Sequence, residues 1–156
     1  MITGLPQINQ QKSSFMNFSQ KADYGLFLLT ELAKHRSDEA VSLRTIAEEH
    51  QMSFLFLQKV AMDLRKAGII SADRGKDGGY RLDKSPETLT LKEILEIFEG
   101  PLAVMHCLVP HTTENCSRQS RCSMRHGLNR INDAIIQILG NTTLLSLLPS
   151  TWKPTV

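Results

Sequence analysis

The sequence predicts a mainly α-helical fold with one small β-hairpin: a winged helix-turn-helix domain followed by a long dimerisation helix. Three observations carry the prediction. Two short segments with helical apolar spacing, LRTIAEEH and FLFLQKVAMDLRKA, are joined by a tight turn at Gln51 and Met52. Helical period then gives way to two extended runs, IISAD and YRL, around the glycine-rich RGKDGG, which is the pattern of a hairpin. Farther on, Met124, Leu128, Ile131, Ile135 and Ile138 recur at intervals of 4, 3, 4 and 3 residues, the seam of a helix that packs along a partner helix.

Taken in order, residues 1–15 are polar and aperiodic and are expected to form a disordered arm, with Met16 a candidate start. Residues 16–100 make the winged head. Its first helix runs from Ser19 as N-cap to about Lys34, with Ala22, Leu26, Leu29 and Ala33 on one face and Asp23 in the first turns. Ser42 is expected to cap the second helix, which turns Leu43, Ile46 and Ala47 inward. Ser53 caps the third, whose buried stripe is Leu57, Val60, Ala61 and Leu64, and Gly68 supplies a left-handed stop. Thr90 and Glu93 form a capping box for LKEILEIFE, ended by Gly100 and Pro101. Residues 101–123 are a polar cysteine-bearing loop, residues 124–148 the dimerisation helix with a short cap, and residues 149–156 a loose tail.

A chain of 156 residues with 41% hydrophobic content can bury a core without covalent staples. The formal net charge of +2 neither demands nor forbids a polyanionic partner, so any argument for nucleic acid rests on where the charge lies. No apolar run approaches a membrane span, and the first residues lack the basic start and apolar centre of a signal peptide, so no membrane partner and a cytoplasmic location are expected. No paired carboxylates, nucleophile with base, or phosphate loop points to an enzyme.

Once the third helix has buried its stripe, Ser53, Gln58, Lys59, Asp63 and Lys66 remain as its outward polar set. Glutamine can donate and accept at an adenine edge and lysine can donate to guanine, and both lie in the half of the helix that would enter a major groove. Arg74, Lys76 and Arg81 lie on or beside the hairpin, whose Gly75, Gly78 and Gly79 permit close approach to a backbone. Ser53, Gln58, Lys59, Arg74, Lys76 and Arg81 are therefore the candidate contacts to double-stranded DNA.

Cys107, Cys116 and Cys122 are the only cysteines, separated by eight and five residues in one polar stretch. In a reducing compartment such a cluster points to a metal site or a thiol sensor rather than to structural disulfides. Structural zinc sites use tighter cysteine pairs, which disfavours zinc, whereas widely spaced thiolates in an open loop suit an iron-sulfur cluster.

The segments MNFSQKADYGL, IAEEHQMSFLFLQKVAMDLRKAGII and RGKDGGYRL, with three cysteines before a long helix, resemble the dimeric winged-helix bacterial regulators of the Rrf type, which include iron-sulfur-sensing members. The resemblance spans roughly Met16 to Leu148. It implies a homodimer on a DNA operator, base reading by Gln58 and Lys59, and a wing arginine, Arg74, in the minor groove. Asp63 departs from the basic or small residue usual there. It also implies that the three cysteines hold an iron-sulfur cluster, although the first intercysteine loop is longer than the family's commonest one. The family completes such a site in two ways. One is a histidine three residues after the last cysteine, where this chain has Arg125 with His126 next. The other is an aspartate from the partner's first helix, whose place is taken by Asp23. The resemblance favours Asp23 with a 4Fe-4S cluster over His126 with a 2Fe-2S cluster, while His106 and His111 read as exposed loop residues. The function so implied is a transcriptional regulator whose DNA affinity is set by a cluster sensing iron, redox state or nitric oxide. The alternative is a zinc- or thiol-based sensor on the same fold.

Overall fold

Ser19 opens the first helix, α1 (Gln20–Ala33), by accepting the Ala22 amide on its hydroxyl at 3.2 Å. The computed structural model describes residues 18–35, 39–73, 78–110, 116 and 118–149, so the expected arm at 1–15, the wing residues Arg74 and Lys76, His111, and the tail from Ser150 lie outside the described residues. α1 is the centre of the head. Leu26, expected on its buried face, is only half-buried, whereas Leu28 and Leu32 are buried together with Ala22, Leu29 and Ala33. The buried surface is wider than a single stripe because α1 packs on α3, α4 and α6 and against β2. On the α4 side the approach is close: a Cβ at Gly25 would fall within 2.3 Å of the Phe98 ring.

The second helix, α2 (Leu43–Glu49), turns Leu43, Ile46 and Ala47 inward as expected. Ser42 stands at its N-cap with extended backbone, but its side chain makes no capping hydrogen bond. The entry to α2 is held instead by the preceding residue, since Val41 and Tyr80 exchange two backbone hydrogen bonds of 2.8 Å each. Gln51 adopts φ 53°, the left-handed conformation that reverses the chain between α2 and α3 (Phe54–Lys66). Ser53 caps α3 by accepting from Phe56 N at 3.4 Å. The predicted stripe of Leu57, Val60, Ala61 and Leu64 is fully buried, each large side chain contributing about 1.5–3 kcal/mol. Gly68 follows at φ 69° and lets the chain leave the helix.

The hairpin pairs β1 (Ile70–Ala72) antiparallel to β2 (Tyr80–Leu82), with Ile70 opposite Leu82 and Ala72 opposite Tyr80. Through the Val41 bridge the wing is joined to the segment that enters the helix-turn-helix. Gly79 is buried at this joint, where a Cβ would meet the Val41 carbonyl oxygen at 2.5 Å. The capping box of α4 (Leu91–Glu99) is present in full, with Glu93 N donating to the Thr90 hydroxyl at 3.2 Å and Thr90 N to Glu93 Oε2 at 2.9 Å. Gly100, at φ 76°, ends the helix.

Two single 3-10 turns, His106–Leu108 and Gln119–Arg121, lead to α5 (Arg125–Asn141). Val104 N donates to Asn132 Oδ1 at 3.1 Å, fastening the start of this loop to the middle of α5. Leu102, Val104, Ile135, Ile136, Leu139 and Phe18 enclose a small cavity of about 120 Å³. The predicted α5 seam divides in two: Leu128 and Ile135 are half-buried, while Met124, Ile131 and Ile138 are 66%, 54% and 63% exposed. After α5 the chain returns to the head. Leu91 N donates to Thr142 O at 2.7 Å and Leu144 N to Leu89 O at 2.8 Å, and α6 (Leu144–Leu147) buries Leu144 in the core.

Candidate nucleic-acid interface and cysteine segment

The stripe that seats α3 in the core fixes what it presents outward. Gln58 and Lys59 are exposed on the first half of the helix, and Lys66 is exposed at its end. Ser53 is exposed at the N-cap, where its hydroxyl oxygen serves the Phe56 amide and its proton remains available to an acceptor. A groove of about 380 Å³ runs between this end of α3 and the wing, with Gln58, Arg44, Phe54, Gly78, Gly79 and Tyr80 along its walls.

Arg44 is a further candidate contact, beyond those expected from the sequence. Its guanidinium carbon stands 5.0 Å from the centroid of the Phe54 ring, so the ring holds an exposed cation at the mouth of the groove. The signal was present in the sequence: Arg44 is the second residue of the helix that crosses the DNA backbone in a helix-turn-helix.

Arg81 has a different setting from the one expected of a free basic residue. Its guanidinium donates to Asp73 Oδ2 at 2.6 Å and lies 4.0 Å from Asp83, so within the hairpin its charge is met by two carboxylates. Asp63, the acidic residue among the polar set of α3, accepts from Lys21 Nζ of α1 at 3.0 Å. Two turns nearer the start of α3, Tyr24 meets Phe56 edge to face at 4.8 Å. These two contacts tie the N-terminal half of α1 to α3. Asp23 lies between Lys21 and Tyr24 and is exposed.

The cysteines occupy the connection between head and α5. Cys107 lies within the first 3-10 turn, Cys116 precedes the second, and Cys122 follows it three residues before α5. All three are free thiols and half-buried. His106 and His126 are exposed, His106 in the first turn and His126 at the second position of α5. A set of three thiols suits thiophilic iron, so the donor chemistry fits an iron-sulfur cluster. Among the described residues, however, no three His, Cys, Asp or Glu side chains are grouped closely enough to hold a metal ion. The start of α1 is fastened beside this connection, because Ser19 N donates to Glu99 Oε1 at 2.8 Å at the end of α4.

Comparison with known proteins agrees with this architecture. Residues 18–150 match the family model Rrf2, described as an iron-dependent transcriptional regulator. The chain is 33% identical over 132 residues to the HTH-type transcriptional regulator CymR of Bacillus subtilis, covering 85% of this chain and 89% of that protein. It is 30% identical over 133 residues to the HTH-type transcriptional regulator NsrR of Bacillus licheniformis, covering 85% and 92%. The solved structure of CymR, the global cysteine regulator of B. subtilis, superposes with a TM-score of 0.68 at 31% identity, covering 85% of this chain and 96% of that one. That of T. potens IscR superposes with a TM-score of 0.64 at 26% identity, covering 85% of each. These relatives are regulators rather than enzymes, and no helix among the described residues is long and apolar enough to cross a membrane. The chain belongs to the Rrf2 family and is a DNA-binding transcriptional regulator with a winged helix-turn-helix fold.

Proposed function

We propose that this regulator acts as a homodimer whose affinity for its operator is set by an iron-sulfur cluster held on Cys107, Cys116 and Cys122. The observation that carries the proposal is the position of the three free thiols, between the head and α5. Met124, Ile131 and Ile138, exposed at seven-residue intervals on α5, supply an apolar seam that a second copy would cover. Asp23 is the fourth ligand in this reading, donated by the partner's α1, and the cluster is of the 4Fe-4S kind. When bound, such a cluster supplies a link that iron supply, oxidation or nitric oxide can break. What this chain adds is transmission. Asp23 shares its helix with Lys21 and Tyr24, which touch Asp63 and Phe56 on α3, so a change in the hold on α1 reaches the reading helix directly.

On the DNA side, Gln58 and Lys59 read bases, and Ser53 and Arg44 take phosphates. Arg74 and Lys76 extend the contact along the wing. Arg81 has the smaller part, because Asp73 and Asp83 already meet its charge.

A second reading, thiol chemistry without iron, is supported by the similarity to CymR, described as a cysteine regulator. Anaerobic native mass spectrometry of wild type and Asp23→Ala separates the two. The cluster reading expects added iron and sulfide mass in the wild type and its loss or alteration in the variant. An unchanged cluster in Asp23→Ala would discard the aspartate ligand, and a colourless, metal-free wild type that still binds DNA would leave the thiol reading.

A further inference from the structure

The reading helix carries an exposed leucine. Leu55, the second residue of α3, is 70% exposed, the highest value for a large apolar side chain among the described residues. A single exposed leucine needs no explanation in a folded protein. Its placement does: Leu55 stands three and four residues before Gln58 and Lys59, and seven before Met62, which is also exposed at 52%. At helical spacing these four residues share one arc of the surface. The buried stripe of Leu57, Val60, Ala61 and Leu64 holds the opposite face, so the rotation of α3 that seats it in the core also fixes Leu55 outward. Ser53, capping the helix, leaves Leu55 in the first turn, the part of a reading helix that goes deepest into the groove.

The major-groove edges of the bases are polar except at one point, the C5 methyl of thymine. We infer that Leu55 is a specificity-determining residue that packs against a thymine methyl, next to the base pair read by Gln58 or Lys59. The operator then carries a required thymine that no hydrogen-bonding side chain accounts for. This inference rests on α3 being the base-reading helix.

The test uses the full chain, purified anaerobically, and the duplex it selects from a random pool. Each thymine is replaced in turn by uracil, which keeps both hydrogen-bonding edges and loses only the methyl. At one position the wild type loses about fourfold in affinity, the worth of one buried methyl group. Leu55→Ala binds the thymine and uracil duplexes equally at that position, with unchanged salt dependence because no phosphate contact is involved. A wild type indifferent to uracil at every thymine, or a uracil penalty that persists undiminished in Leu55→Ala, overturns the inference. Gln58→Ala and Lys59→Ala on the same duplexes test its premise separately. If they leave both affinity and sequence preference intact, the assignment of the reading helix fails. If they alter preference while uracil has no effect, only the leucine contact fails.

Discussion

Replacing Gly79 with alanine probes the joint between the wing and the helix-turn-helix. A Cβ at this position would lie 2.5 Å from the Val41 carbonyl oxygen, 2.6 Å from its carbon and 2.9 Å from its nitrogen, all backbone atoms that cannot rotate away. The Val41 segment and β2 must separate, and the hydrogen bonds between Val41 and Tyr80, each 2.8 Å, are the contacts that go. At about 0.5–1.5 kcal/mol apiece their loss costs about 1–3 kcal/mol. Alanine returns about 0.4–1 kcal/mol by restricting the unfolded chain, leaving a net destabilisation of about 1–2 kcal/mol. Urea denaturation should show a lower midpoint with an unchanged slope. Amide exchange at Tyr80 should accelerate by more than the global loss of stability explains, because its protection is removed locally. A Gly79→Ala protein with wild-type midpoint and undiminished protection at Tyr80 would refute the steric argument.

Three further outcomes are expected. Asp63→Ala should lower stability by less than about 1 kcal/mol, since its pair with Lys21 is solvent-exposed, while raising DNA affinity by removing a carboxylate from the reading helix, as read by fluorescence anisotropy. Arg44→Ala should weaken binding uniformly across DNA sequences and reduce the salt slope by about one, the mark of a lost phosphate contact; a changed sequence preference would contradict its role. The backbone amide of Thr90, helped by its hydroxyl and by Lys84, holds the Glu93 carboxyl below the ordinary glutamate value of 4.5. A depressed folded-state pKa means that this stabilisation is present above 4.5 and is lost as pH falls from there through the lower folded value. The urea midpoint of Glu93→Gln should lack that component of the acid decline, and an identical pH profile would rule it out.

The parts of the fold legible in the sequence are those determined within a turn or two of chain. Ser19, Ser53 and the Thr90–Glu93 box cap helices through contacts three residues away, and Gly68 and Gly100 end them through their own backbone conformation. The hidden parts depend on how helices cross. The second buried face of α1, with Leu28 and Leu32, arises because α1 lies between α3 and α4, which no single periodicity encodes. Likewise Asp63 meets Lys21 across 42 residues of sequence, and Arg81 meets Asp73 across the hairpin. At the candidate site, Gln58 and Lys59 were legible because the stripe of α3 determines its outward face. The cysteines were legible as a cluster in sequence, but closeness along the chain does not bring side chains together, and among the described residues no three His, Cys, Asp or Glu side chains are grouped to hold a metal.

An isolated bridge between Leu89–Leu91 and Thr142–Leu144 closes the excursion between them. α5 is anchored to the head at its far end, where Thr142 and Leu144 bond to Leu91 and Leu89, while the cysteines lie toward its near end. Seventeen helical residues form an arm of about 25 Å. Swinging that arm by about 5° about its anchored end carries the cysteine end through about 2 Å, a displacement on the scale of helix shifts at subunit interfaces. In the proposed dimer, a rotation of a few degrees where α5 joins the head would thus be felt at the thiols as a displacement of ångströms.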